Sequence, residues 1–184
     1  MLFRTIAAAL AAGFLAFAAP AFAQSSDPEN TLVMQLEGGT VEIALRPDLA
    51  PNHVERLKTL TREGFYDGVV FHRVIPGFMA QTGDPTGTGS GGSEMPDLQA
   101  EFSDASFTRG VLGMARSESP NSANSQFFIT TGDASWLNGQ YTVVGEVVSG
   151  MEAIDALAAG TEANNGAVEN PDRIVSMKVA ADPS

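Results

Sequence analysis

His72 and Arg73 stand in a run of apolar residues, Val69-Val70-Phe71-His72-Arg73-Val74-Ile75, that is followed after Pro76-Gly77 by Phe78-Met79-Ala80-Gln81-Thr82. Both runs read as short strands. A period of two places Phe71, Arg73 and Ile75 on one face of the first, and Met79 and Gln81 opposite Phe78 and Ala80 on the second. An arginine, a methionine, a glutamine and aromatics within a dozen residues describe the wall of a shallow pocket. Such a wall can offer hydrogen bonds from a cation that never loses its proton, set against apolar surface. The same spacing also fits an edge strand whose Arg73 reaches into water along its own apolar stem. The chain has no cysteine and two histidines, His53 and His72, far apart in sequence, so no thiol nucleophile or histidine cluster is on offer. His72 faces away from Arg73, which predicts a buried, hydrogen-bonded side chain, and His53 is expected at the surface.

The elements that would carry these residues are mostly strands. Leu32, Met34 and Leu36, then Val41, Ile43 and Leu45, alternate with other residues on either side of Gly38-Gly39, the pattern of a β-hairpin. Pro51 suits the first position of a helix that runs to about Arg62, with Val54, Leu57 and Thr61 on one face and Gly64 as its stop. Residues 83–92 hold five glycines among threonine and serine; without a following Gly-Lys-Ser/Thr they read as a long surface loop. Strands are expected over 110–115, 126–130, 141–148 and 174–179, the last with Val175, Met177 and Val179 inward. A second helix is expected over 151–159, and Trp136-Leu137-Asn138-Gly139 forms a compact turn. In the 126–130 strand, Gln126 and Phe128 share one face and Phe127 and Ile129 the other. About eight short strands and two helices, joined by antiparallel-type turns, make a mainly β chain, and a closed eight-stranded antiparallel barrel capped by two α-helices fits better than a parallel α/β sheet.

With 184 residues the chain suits one domain. Residues 1–23 carry Arg4, an apolar run over 6–17 and Ala21-Phe22-Ala23 before polar Gln24, which is the pattern of a cleavable signal peptide. Cleavage after Ala23 removes 23 of the 184 residues, leaves 161 and takes the formal charge from −12 to −13 with the loss of Arg4. Residues 24–30 are polar, a flexible lead-in to a domain over 31–184. So acidic a domain is not expected to bind nucleic acid or an anionic membrane. A periplasmic or secreted location follows. Without cysteine, the exported fold must rest on packing alone.

Phe71-His72-Arg73-Val74-Ile75-Pro76-Gly77-Phe78-Met79-Ala80-Gln81 with Gly83-Asp84 resembles the signature of cyclophilin-type peptidyl-prolyl cis-trans isomerases. Gly113-Met114-Ala115, Asn124-Ser125-Gln126-Phe127-Phe128-Ile129, Trp136-Leu137-Asn138-Gly139 and Val143-Val144-Gly145-Glu146-Val147 match in the same order, so the resemblance spans about residues 30–180. It implies a bacterial, exported isomerase for which no cofactor or metal is called for, with a peptide site on the outside of the barrel. By resemblance, Arg73 is the catalytic arginine; Phe78, Met79, Phe128 and Leu137 form a proline pocket; Gln81, Ala115 and Gln126 hold the substrate backbone. Trp136 matches the tryptophan that contacts the inhibitor cyclosporin. Arg116 stands where many members carry an asparagine that bonds the substrate backbone, and Tyr141, where many carry histidine, can still wall the pocket. The implied partners are proline-containing segments of exported proteins in the course of folding, met by a monomer. On this reading Gln81 and Gln126 either touch substrate or brace Arg73.

Overall fold

The computed structural model describes residues 27–183. The expected signal peptide and residues 24–26 of the lead-in lie outside them. The rest of that lead-in is structured: the Asp27 side chain accepts the Glu29 amide of a 3-10 turn, Pro28–Asn30, whose Glu29 takes hydrogen bonds from Lys58 and Arg62.

Strands β1 (Thr31–Leu36) and β2 (Gly39–Leu45) form the expected hairpin. Leu32 pairs with Ile43 and Met34 with Val41, so the apolar sets of both strands meet on one face and are buried there. Helix α1 (Pro51–Arg62) has proline at its start and buries Val54, Leu57, Leu60 and Thr61. Its preceding residue, Ala50, has no side chain with which to cap. Glu101 does so from 49 positions away, accepting the Asn52 amide at 3.2 Å and the His53 amide at 3.1 Å. The same carboxylate lies 2.5 Å from His53 Nδ1, and His53 is 0% exposed. The surface position expected for His53 is therefore wrong: a distant carboxylate gives the imidazole a partner that makes burial affordable only in three dimensions.

The remaining strands are β3 (Arg73–Ile75), β4 (Met79–Thr82), β5 (Val111–Met114), β6 (Phe127–Thr130), β7 (Val143–Ser149) and β8 (Ile174–Val179). All pairings are antiparallel, in the order β3-β4-β6-β5-β7-β2-β1-β8. The closed barrel is corrected here: the sheet is an open, curled half-barrel with β3 and β8 at its edges. Next to that gap runs an isolated bridge, Val70 with Arg173. The free edge of β3 is instead satisfied by the segment 160–168: the Val74 amide donates to the Gly166 carbonyl at 2.8 Å, and the Gly160 amide donates to the Val74 carbonyl at 3.0 Å.

Because β3 begins at Arg73, the alternation expected from residue 69 onward breaks. Phe71 joins Val74 in the main core, while Arg73 and Ile75 face outward. Val175 is also corrected: it is 51% exposed, because the pairing of β1 with β8 skips it between Ser176 and Ile174 and so shifts the period. Helix α2 spans only Met151–Asp155, and the Asp172 carboxylate takes the Ala158 amide at 2.7 Å beyond its end.

The sheet divides its side chains between two clusters. Ala80, Leu112, Met114, Phe127 and Ile129 enter the core that α1 and α2 cover. Their neighbours Met79, Val111 and Phe128 emerge on the outer face with Phe107 and Val143. All four residues of β5 and all four of β6 are buried, so loops cover that outer face as well.

Candidate active site

The outer cluster floors a small hollow of about 110 Å³ lined by Arg73, Phe78, Met79, Gln81, Ala115, Arg116, Phe128, Leu137 and Tyr141. Strands β3 and β4 place Arg73 directly opposite Gln81, and β4 with β6 places Gln81 opposite Phe128. Phe78 lies just before β4 and so escapes the alternation that would have pointed it away from Met79. Leu137 closes a 3-10 turn, Ser135–Leu137, the compact turn expected there. Trp136 is outside the hollow, 58% exposed, with its ring 5.3 Å from that of Phe78.

Phe128 is held from below by Phe107, stacked at 5.6 Å, and from the side by the edge of Tyr141 at 5.7 Å. Gly113 makes this possible. A Cβ there would come within 2.4 Å of Phe128 Cζ and 2.6 Å of Phe107 Cε1. Gly113→Ala is expected to push the Phe128 ring into the hollow and to cost about 1–3 kcal/mol of stability. A urea titration beside an isomerisation assay checks this; unchanged values in both would show that the rings yield freely.

Arg73 is held by neutral acceptors. Its Nε–H donates to the Asn165 carbonyl at 2.9 Å, Nη2 to Asn165 Oδ1 at 2.9 Å, and Nη1 to Gln81 Oε1 at 3.3 Å. Among the described residues no carboxylate forms an ion pair with it. Burial draws its pKa below the ordinary value, opposed by Tyr141. The glutamines form a relay behind it. Gln81 Nε2 donates to Gln126 Oε1 at 2.9 Å, and Gln126 Nε2 donates to the carbonyls of Gly89 and Gly91 at 3.1 and 2.8 Å. Gln81 thus bonds Arg73 directly and Gln126 reaches it only through Gln81, and Gln126 borders a neighbouring cavity rather than the hollow itself. That cavity, about 520 Å³, runs along residues 89–93 and meets the hollow at Gln81, Ala115 and Arg116.

Arg116 is spent on its own surroundings. Nε and Nη2 donate to the Gln140 carbonyl, Nη1 donates to those of Ser117 and Glu118, and the guanidinium lies 4.5 Å over the Tyr141 ring. It thus stiffens the wall that Tyr141 forms.

Sequence reasoning assigned no role to three residues here: Asp84 and Gly113, quoted only as parts of motifs, and Asn165. Asp84 is fully buried and gathers the glycine-rich loop, accepting the amides of Thr86, Gly89 and Gly91 and the hydroxyls of Thr86 and Thr88. Asp84-Pro85-Thr86 is an Asx-turn pattern, and Asn164-Asn165-Gly166 a turn pattern, so both carried a local signal. Neither signal names a distant partner.

Burial alone would raise the Asp84 pKa; the Gly91 amide, then the hydroxyl and amide of Thr86 and the Gly89 amide, outweigh it and leave it at about 2. His72 is buried as expected, but neither ring nitrogen makes a hydrogen bond. Burial lowers its pKa, against the pull of the Asp84 carboxylate. Both shifts have the same sign for stability. Below 6.5, the ordinary histidine value, the unfolded chain takes up a proton that His72 refuses; below 3.8, the ordinary aspartate value, it takes up another that Asp84 refuses until about pH 2. Stability is expected to fall in both windows as pH falls, and in His72→Phe the upper window should vanish from urea midpoints measured against pH. A pH slope unchanged in that variant would place the titration elsewhere.

Comparison with known proteins agrees with this geometry. The fold is that of the cyclophilins: a cyclophilin from Hirschia baltica superposes with a TM-score of 0.77 at 27% identity, covering 86% of this chain and 76% of the other. A cyclophilin type peptidyl-prolyl cis-trans isomerase from Cryptosporidium parvum, solved in the presence of the dipeptide Ala-Pro, superposes with a TM-score of 0.75 at 28% identity over 83% of this chain and 99% of the other. Residues 31–179 match the family described as cyclophilin type peptidyl-prolyl cis-trans isomerase/CLD. A probable peptidyl-prolyl cis-trans isomerase of Brucella suis is 55% identical over 190 aligned positions, 97% of each chain. The chain belongs to the cyclophilin-type peptidyl-prolyl cis-trans isomerases, and its activity is that isomerisation.

Proposed function

We propose that the protein catalyses rotation about Xaa-Pro bonds in proline-containing segments of exported proteins as they fold, with Arg73 as the catalytic cation. One observation carries this reading: a guanidinium without a carboxylate partner lines the same hollow as Phe78, Met79, Phe128, Leu137 and Tyr141.

Amide resonance opposes the rotation with a barrier of roughly 18–20 kcal/mol. It places negative charge on the carbonyl oxygen and positive charge on the prolyl nitrogen, so apolar surroundings disfavour the planar form more than the twisted one. Phe78, Met79, Phe128 and Leu137 supply those surroundings and grip the proline ring. On twisting, the prolyl nitrogen becomes pyramidal and regains a lone pair. Arg73 uses three of its five N–H groups on Asn165 and Gln81, which leaves one on each terminal nitrogen to donate to that lone pair. Such a bond is worth about 1.5–3 kcal/mol, whereas a hundred-thousandfold acceleration needs about 7 kcal/mol. Desolvation and the hold on the ring supply the rest.

The signal pattern of residues 1–23 supports an exported site of action, periplasmic or secreted, and the Ala-Pro dipeptide present with the Cryptosporidium parvum relative supports a proline-peptide substrate. Cyclosporin is the expected inhibitor, reaching Trp136 beside Phe78. Exchange spectroscopy on an Ala-Pro peptide, with and without cyclosporin, tests the site; intact mass of the protein recovered outside the cytoplasm tests the export. A rate that cyclosporin leaves untouched would sink the first reading, and a chain that stays inside at full mass the second.

A further inference from the structure

We infer that Asn165 is a positioning residue for the catalytic arginine, an assignment that rests on the role given to Arg73 above. Asn165 lies 92 positions after Arg73 and presents it with two acceptors, the main-chain carbonyl to Nε–H and Oδ1 to Nη2–H, both at 2.9 Å. A guanidinium is a planar fork, so two acceptors along one edge fix the plane of the whole group. Gln81 takes a third hydrogen from the other terminal nitrogen. The two hydrogens left over are thereby given a set direction instead of being free to swing.

The backbone of Asn165 shows that this placement is built. Its φ is 56°, and it is the one non-glycine residue with positive φ among those described. Asparagine tolerates that region better than most residues, and such conformations persist where their surroundings over-determine them. Here the surroundings are the strand that carries Arg73. Gly166 presses so closely on Ile75 that a Cβ would come within 2.4 Å of Ile75 Cγ1, and its carbonyl takes the Val74 amide at 2.8 Å. Its own amide donates to the Thr161 carbonyl at 2.8 Å, and Ala167 bridges to Arg73 itself. Both ends of the Arg73–Asn165 contact thus belong to one stapled unit. The Asn165 side chain is exposed and fills no core, so its carboxamide has no packing role that would explain it.

Asn165→Gly is the informative variant: it keeps the main-chain carbonyl and suits positive φ, and removes the side chain that carries the Oδ1 acceptor of Arg73 Nη2. Rates are read by exchange spectroscopy on an Ala-Pro peptide in the wild type, Asn165→Gly, Arg73→Ala and the double variant, with melting temperatures alongside. Asn165→Gly is expected to lower kcat about tenfold with KM little changed, and to merge the Arg73 Nη proton resonances as the fork is freed to rotate. In the Arg73→Ala background the same change should have no further effect. Wild-type kcat in Asn165→Gly, or an equal fractional loss in both backgrounds, overturns the inference. A wild-type rate in Arg73→Ala would instead overturn the role of Arg73, and the two failures are told apart by which single variant keeps its rate.

Discussion

Arg73→Ala should lower kcat/KM for an Ala-Pro peptide by roughly ten- to a hundredfold, the rate equivalent of one hydrogen bond from a charged donor at about 1.5–3 kcal/mol. The loss should fall mainly on kcat, since the bond forms with a lone pair that exists only in the twisted state. The fold should survive, because Arg73 is half-buried and its partners Asn165 and Gln81 are neutral groups that can turn to water. Arg73→Lys should recover little. A lysine keeps the charge but has no fork with which to meet the two Asn165 acceptors and the prolyl nitrogen at once. Exchange rates at saturating and limiting peptide separate kcat from KM; a variant whose loss lies in KM alone would make Arg73 a binding group and not a catalytic one.

Asp84→Ala should cost roughly 3–5 kcal/mol, because it leaves three loop amides, those of Thr86, Gly89 and Gly91, without their acceptor. For a chain of this size that is a fall in melting temperature of about 10 °C. Asp84→Asn should be nearly as damaging, since its Nδ2 would face donors. The effect should also reach catalysis. The Gly89 and Gly91 carbonyls orient Gln126, Gln126 orients Gln81, and Gln81 receives a hydrogen from Arg73. A variant that melts early yet isomerises peptide at the wild-type rate well below its transition would show that the relay has no part in placing the arginine.

Much of the site was legible along the chain. The alternation of Met79 with Ala80 and of Phe127 with Phe128 assigns one member of each pair to the core and the other to the outer face, and the structure divides them in that way. Helix α1 follows from Pro51 and Gly64 together with its apolar spacing. Alternation failed where a strand was interrupted: Phe71 precedes the true start of β3, and Val175 sits at a register shift. Bulges and strand starts depend on which neighbour a backbone pairs with, and that neighbour lies elsewhere in the chain.

By itself, then, the sequence determined most of the local elements, the two faces of the uninterrupted strands and the family, because backbone sterics and a period of two are written in adjacent residues. Tertiary structure alone decided that the sheet stays open where residues 160–168 occupy the edge of β3, that Glu101 buries His53, and that Asp84 and Asn165 hold the two sides of the Arg73 support. Those contacts join groups dozens of residues apart. Their hydrogen bonds exist only once the strand order has brought the partners within about 3 Å of each other, a distance no local pattern encodes.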